Sequence, residues 1–166
     1  MMSGSTGPVD GCPAPVLADQ PEHGCGTGLA AREWPLASAL EFGSLPTAVG
    51  SARAHTRGIL AEWGLASLAD DAEIVVSELL TNALRASWKR DDRPPVALRL
   101  LASQERLIIE AWDQCADDGQ PTPELPPHDA DHGRGLLVVA ALGSRWGVRR
   151  ASFSHKVVWC ELLVRS

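Results

Sequence analysis

Three short stretches of this sequence carry residues able to do polar chemistry. Asp113 follows the apolar run Leu107-Ile-Ile-Glu-Ala-Trp112, and a carboxylate at a strand end facing a cleft can accept a hydrogen bond from an exocyclic amine. An Asp there is also an ordinary turn former. Gly133-Arg134-Gly135-Leu136 stands where a polar loop meets an apolar helix. A glycine-flanked helix N-terminus offers unpaired amides and the positive end of the dipole, which suits phosphate. Glu78 and Asn82 are four residues apart in a helical pattern and therefore share one stripe. Asn costs roughly half a kcal/mol relative to Ala inside a helix, so its place on so regular a helix asks for a reason. Taken alone, the pair reads first as a solvated edge of the packed face.

Common phosphate-binding signatures are missing. The third glycine of a G-x-G-x-x-G fingerprint would fall at Val138, and no strand immediately precedes the motif. There is no G-x-x-x-x-G-K-[ST] loop, and the HRD and DFG signatures of eukaryotic-type kinases do not occur. Cys12, Cys25, Cys115 and Cys160 have no C-x-x-C spacing, so neither a disulfide framework nor a zinc site is expected.

The elements that must position these residues follow from hydrophobic periodicity. Leu36 to Phe42 alternates as a strand and ends at Gly43-Ser44. Pro46 is placed to begin a helix, whose face is Ala48, Val49, Ala52, Thr56, Ile59, Leu60 and Trp63, with Gly64 as its stop. A second helix opens at Asp70-Asp71-Ala-Glu73, read as an Asp cap with an acidic residue three positions on. Its stripe is Ala72, Val75, Val76, Leu79, Ala83 and Leu84, and it ends at Lys89-Arg90. Val96–Leu101 and Leu107–Trp112 form an antiparallel hairpin across a five-residue turn. Residues 114–132 are a long loop, rich in proline and acid, of the kind that is either a lid or a linker. A third helix from Gly135 to Leu142 and a second hairpin, Trp146–Val148 with Val157–Val164, complete the chain. Strands grouped apart from helices give an α+β, two-layer sandwich whose mixed, mostly antiparallel sheet is covered on one face by three helices.

The 166 residues favour one domain. Residues 1–33 lack apolar periodicity and read as a flexible leader, so the folded domain is expected over 34–166. The formal net charge of −6 argues against a nucleic-acid or anionic-membrane coat. No charge-free stretch approaches the roughly 20 apolar residues of a membrane span, and no basic n-region precedes an apolar core as in a secretory signal. A cytoplasmic location is the simplest expectation.

In order, Glu78-Leu-Leu-Thr-Asn82-Ala, then Asp113 closing a strand, then Gly133-Arg-Gly135-Leu opening a helix, resemble the N box and the two glycine-containing boxes of the GHKL ATPases. That superfamily joins gyrase, a heat-shock chaperone, histidine kinases and mismatch-repair proteins on the Bergerat fold. Leu60-Ala-Glu-Trp-Gly64 with Leu68-Ala-Asp-Asp-Ala-Glu-Ile-Val-Val-Ser-Glu-Leu-Leu-Thr-Asn-Ala83 is similar to its small bacterial branch, the anti-sigma-factor serine kinases and their actinobacterial ATP-binding relatives. The likeness spans residues 34–164.

The resemblance implies ATP and Mg²⁺ as cofactors. Asn82 would hold the magnesium ion that bridges the phosphates, and Glu78 would be the general base. Asp113 would receive the adenine amino group, while Gly133, Arg134, Gly135 and Leu136 would close over the phosphates. The implied partners are a serine-bearing anti-sigma-factor antagonist and a sigma factor, and relatives that dimerise leave a homodimer open. The chain departs from the pattern at three places. Gln114-Cys115-Ala116 lacks the glycines that follow the adenine Asp, and Ala86-Ser87 replaces His-Ala. In His155-Lys156-Val157-Val158-Trp159 a valine replaces the Thr of Gly-Lys-Thr-Val-Trp, with an expected loss of about 1 kcal/mol of polar contact to the base. Two functions stay open: a protein serine/threonine kinase, and a nucleotide-gated binding module with little phosphotransfer. The departures favour ATP binding over efficient catalysis, and a scaffold that binds no nucleotide is the third, blander reading.

Overall fold

The computed structural model describes residues 34–114, 134–152 and 154–164. Its elements are β1 (Leu36–Phe42), α1 (Ala48–Glu62), a 3-10 turn at Ala66–Leu68, α2 (Ala69–Trp88), β2 (Val96–Ala102), β3 (Arg106–Gln114), α3 (Arg134–Leu142), β4 (Arg145–Ser152) and β5 (His155–Leu163). The expected leader 1–33, the loop residues 115–132 and Gly133 lie outside the described residues. Gln114, expected in that loop, is the last residue of β3.

The architecture is α+β, with five strands in the order β1-β2-β3-β5-β4. The sheet was expected to be mixed; every pairing is antiparallel. Tight hairpins join β2 to β3 and β4 to β5, while β1 reaches back to β2 and β5 inserts beside β3, so two of the four pairings join strands far apart in sequence.

The apolar sets on the strands and on α2 meet in one core. Leu98 and Leu100 of β2, Leu107, Ile109 and Ala111 of β3, and Val158, Cys160 and Leu162 of β5 face Val75, Val76, Leu79, Leu80, Ala83 and Leu84 of α2. Leu79 and Leu80 are wholly buried, and each such side chain contributes roughly 1.5–3 kcal/mol. The helix α2 lies across β2 and β3, with α1 and α3 packed against its two sides. A sheet and a helix that share one apolar face have little freedom to slide, because a one-residue slip would turn every strand side chain over. The third helix adds Val139 to the core. Below it the Cys160 thiol is buried and pushed up to about 12, chiefly by desolvation, so it holds no thiolate at neutral pH.

Helix ends show where sequence signals were outvoted. Pro46 lies before α1, inside a turn closed by the Ala48 amide donating to the Leu45 carbonyl at 3.0 Å, and the cap is Thr47. Proline at the second position of such a turn is as favourable as at a helix start. Gly64 does end α1: its φ of 73° permits paired bonds from Leu65 to Leu60 (2.8 Å) and from Gly64 to Ala61 (3.2 Å), which satisfy the last carbonyls. Asp70 is not the cap of α2. The 3-10 turn runs straight into the helix, Leu68 takes the cap position, and Asp70 and Asp71 fall in the first turn. Glu73 turns outward to Arg53 (3.2 Å) and to Arg57, whose other nitrogen donates to Asp70 at 2.8 Å, so these carboxylates clamp α1 to α2.

The opposite face of the sheet carries a second, polar-edged cluster. Ala97, Trp112 and Val157 pack together there. Glu110 accepts from Arg99 Nε at 2.7 Å, from Trp112 Nε1 at 3.1 Å and from Arg149 Nη2 at 3.2 Å. Both guanidinium carbons lie 5.2 Å from the Trp112 ring centroid, so the indole is flanked by two cations held by one carboxylate.

Candidate functional site

The side of α2 that borders α3 is polar. Glu78, Thr81, Asn82 and Arg85 occur at steps of three, one and three, which stacks them along one stripe beside the apolar face. Facing them is the first turn of α3, with Arg134, Gly135 and Leu136. These seven residues line a cleft of about 170 Å³. Clefts that take whole drug-sized molecules hold roughly 300–1,000 Å³, so the described walls suit a charged end group rather than a complete nucleotide. The lining offers one carboxylate, one carboxamide, one hydroxyl and two guanidinium groups. Among the described residues, no hydrogen bond or ion pair engages the Glu78, Asn82, Arg85 or Arg134 side chain.

Gly135 fixes how closely the two helices approach. A β-carbon at this position would overlap Glu78 Oε2 and stand 3.4 Å from Glu78 Cδ. The glycine therefore lets the first turn of α3 rest on the Glu78 carboxylate, and the exposed amide end of the helix favours negative charge there.

Asp113 lies apart from this cleft. It sits near the end of β3, fully buried, on the same side of the sheet as Ile109 and Ala111, and does not line the cleft walls. Its cross-strand partner is Lys156 of β5, whose Nζ is 3.3 Å from Oδ2. The approach falls short of hydrogen-bond geometry, and among the described residues neither carboxylate oxygen has a hydrogen-bond partner. Burial pushes the carboxyl above its ordinary range, with Lys156 and, less strongly, His155 pulling it back. A buried carboxylate with both oxygens unsatisfied costs free energy unless a donor arrives.

The register corrects the expectation for Val157. That residue pairs with Trp112 and packs with Ala97 on the far face of the sheet. Successive strand residues point to opposite faces, so it is Lys156, not Val157, that stands beside Asp113, and the valine removes no contact on that side. The departure at Ala86-Ser87 is structural: Ser87 is buried, donates to the Pro94 carbonyl at 2.6 Å and pairs with Ser44 Oγ at 2.7 Å.

Of the residues singled out from sequence, Glu78, Asn82, Arg134, Gly135 and Leu136 converge on the cleft, Asp113 stands on a separate wall, and Gly133 lies outside the described residues. Thr81, Arg85 and Lys156 were missed. The first two were readable by extending the Glu78–Asn82 stripe to its neighbouring three-residue steps. Lys156 required the pairing of β3 with β5, which no local pattern encodes. Among the described residues no three His, Cys, Asp or Glu side chains cluster as a metal cage, and no helix is long and apolar enough to cross a membrane.

The family model of the histidine kinase-like ATPase domain matches residues 42–159, from the end of β1 into β5. That interval contains α2, β3 and α3, and so every wall just described. No curated protein matches the chain.

Proposed function

The chain belongs to the histidine kinase-like ATPase domain family, a nucleotide-binding domain, and from that premise we propose that it is a cytoplasmic ATP-dependent serine/threonine kinase of the anti-sigma-factor type. Its substrate would be a serine on an anti-sigma-factor antagonist, and a sigma factor would be its second partner. The observation that carries this reading is the convergence of Glu78 and Asn82 with the first turn of α3 in one cleft that also holds two arginines.

The residues present fit ATP with Mg²⁺. Magnesium favours a few protein oxygens completed by phosphate and water over an all-protein cage, which agrees with the single carboxamide of Asn82 in the cleft. Bound there, the ion would neutralise charge on the phosphates. Arg85 and Arg134 supply fixed positive charge, and the cradle kept open by Gly135 lets backbone amides approach a phosphate oxygen. Asp113, with two unsatisfied oxygens, suits the amino group of adenine.

Phosphoryl transfer depends mainly on positioning and charge stabilisation. The Glu78 carboxylate accepts the proton of the incoming serine hydroxyl. The serine oxygen then bonds to the γ-phosphorus as the bond to the β,γ-bridging oxygen breaks, and ADP departs with that electron pair. A base of this kind contributes about 10²–10⁴-fold. The test is transfer of γ-labelled phosphate to a candidate antagonist. We expect a labelled phosphoserine that Glu78→Ala lowers by at least about 100-fold. Transfer unaffected by that substitution removes Glu78 as the base. Tight ATP binding with no transfer leaves a nucleotide-gated binding module instead.

A further inference from the structure

Lys156 stands in the His155–Trp159 stretch, where the ATP reading gives the lysine no role, yet its ammonium is the charged group that meets the buried carboxylate of Asp113. Its Nζ stands 3.3 Å from Oδ2, and its side chain keeps 20% exposure while that of Asp113 has none. The ammonium thus keeps some contact with solvent while the carboxylate keeps none. An ion pair built for stability alone would satisfy the remaining lone pairs of a buried carboxylate. Here, among the described residues, both oxygens are left without a hydrogen bond. The arrangement neutralises charge and leaves hydrogen-bond capacity open, which is what a site waiting for a neutral N–H donor needs.

We infer that Lys156 determines base specificity: its ammonium keeps Asp113 in the ionised, acceptor-only form, so the site takes a 6-amino purine and rejects a 6-oxo purine. This inference rests on Asp113 being the residue that meets the base. An ionised carboxylate can only accept. It pairs with the adenine amino group and repels the O6 acceptor of hypoxanthine. A protonated carboxyl has one donor and one acceptor, and it can pair with either edge by turning its hydroxyl toward N1 of adenine or O6 of hypoxanthine. The charge state of Asp113 therefore decides whether the site discriminates.

The charged groups acting on Asp113 among the described residues are Lys156 and His155, both on β5. Arg150 of β4 lies one strand further out, opposite Lys156. The charged residues that α2 and α3 bring to the cleft, Glu78, Arg85 and Arg134, are not among the charges acting on Asp113. The adjoining end of β2 is Val96 and Ala97, which do not titrate. Removing an opposite charge at this distance raises a carboxyl pKa by roughly 1–3 units, and burial already pushes Asp113 upward. Without Lys156 that upward push is opposed only by the weaker pull of His155.

The experiment compares ATP with ITP, which differ at the 6-position, by direct binding to the full chain between pH 6 and pH 8. The wild type is expected to prefer ATP by at least about 10-fold, at a ratio constant across that range. In Lys156→Met the ratio should shrink toward one as pH falls, by up to about 10-fold per unit below the carboxyl midpoint. Lys156→Arg should restore the flat profile. Lys156→Gln, which keeps a polar tip, serves if the Met variant fails to fold. A carbon-13 titration of the Asp113 carboxyl in nucleotide-free protein should show a higher midpoint without Lys156, a readout that a merely structural lysine would not move. A flat ratio and an unshifted midpoint in the Met and Gln variants overturn the inference while leaving ATP binding intact. Equal wild-type affinity for ATP and ITP removes Asp113 as the base reader, and absence of ATP binding removes the nucleotide reading itself; either result takes this inference with it.

Discussion

Replacing Gly135 by alanine separates stability from turnover at a single atom. The added β-carbon would overlap Glu78 Oε2, while its distances to Glu78 Cδ and Cβ, 3.4 and 3.6 Å, are ordinary contacts. The clash is therefore with the far end of a flexible side chain, and rotating the carboxylate away relieves it for about 1 kcal/mol or less. Alanine in turn favours the helix over glycine by up to about 1 kcal/mol. The two effects nearly cancel, so folding stability should change by less than about 1 kcal/mol. For a domain of this size the melting temperature should stay within about 4 °C of wild type. Glu78, however, loses its position, and displacing this proposed base should lower the proposed phosphoryl transfer by about 100-fold or more. Thermal denaturation and labelled-phosphate transfer on the same preparations give both numbers. Pairing the change with Glu78→Asp, whose shorter side chain clears the alanine methyl, completes a double-mutant cycle that should show coupling. Destabilisation beyond about 2 kcal/mol, or unchanged transfer, would refute the account of how α3 meets α2.

Other consequences concern the charged groups buried on the sheet. Glu110→Ala leaves Arg99 and Arg149 without their shared carboxylate, and chemical denaturation should show a loss of about 3–5 kcal/mol. Glu161 is held below the usual carboxylate range, first by its bond to Arg145 and also by Ser144 and Arg106. Its contribution is present above the unfolded value near 4.5 and disappears as pH falls through the lower folded value; the stability gap between wild type and Glu161→Gln should therefore be open at pH 7 and closed in strong acid. Asp113 has the opposite sign. Burial raises its folded value, so the native state holds its proton longer and stability declines as pH climbs from the unfolded value near 3.8. Asp113→Asn should flatten that decline in a pH series of denaturation curves while weakening the preference for ATP over ITP.

The sheet strands were legible wherever side chains alternate against one packed face. The bounds of β1 follow directly from the alternation between Leu36 and Phe42. Helix starts were less legible, because they depend on which partner a short polar side chain finds. Asp70 and Glu73 could have formed a local cap, and instead they meet Arg53 and Arg57 of the neighbouring helix, whose position no local pattern gives. Glu78 and Asn82 were found because helix periodicity places residues four apart together, and the same rule contained Thr81 and Arg85. The pairing of Asp113 with Lys156 joins residues from non-consecutive strands across the centre of the sheet. Without that pairing nothing local shows that Val157 points to the face of the sheet away from Asp113.

The central claim is that ATP with magnesium binds where α2 meets the first turn of α3. Calorimetric titration of the full chain with ATP and Mg²⁺, beside Asn82→Ala, tests it most directly. The account predicts saturable binding to one site in the wild type and its loss when the Asn82 carboxamide is removed. No binding at millimolar ATP, or binding that Asn82→Ala leaves unchanged, would contradict it.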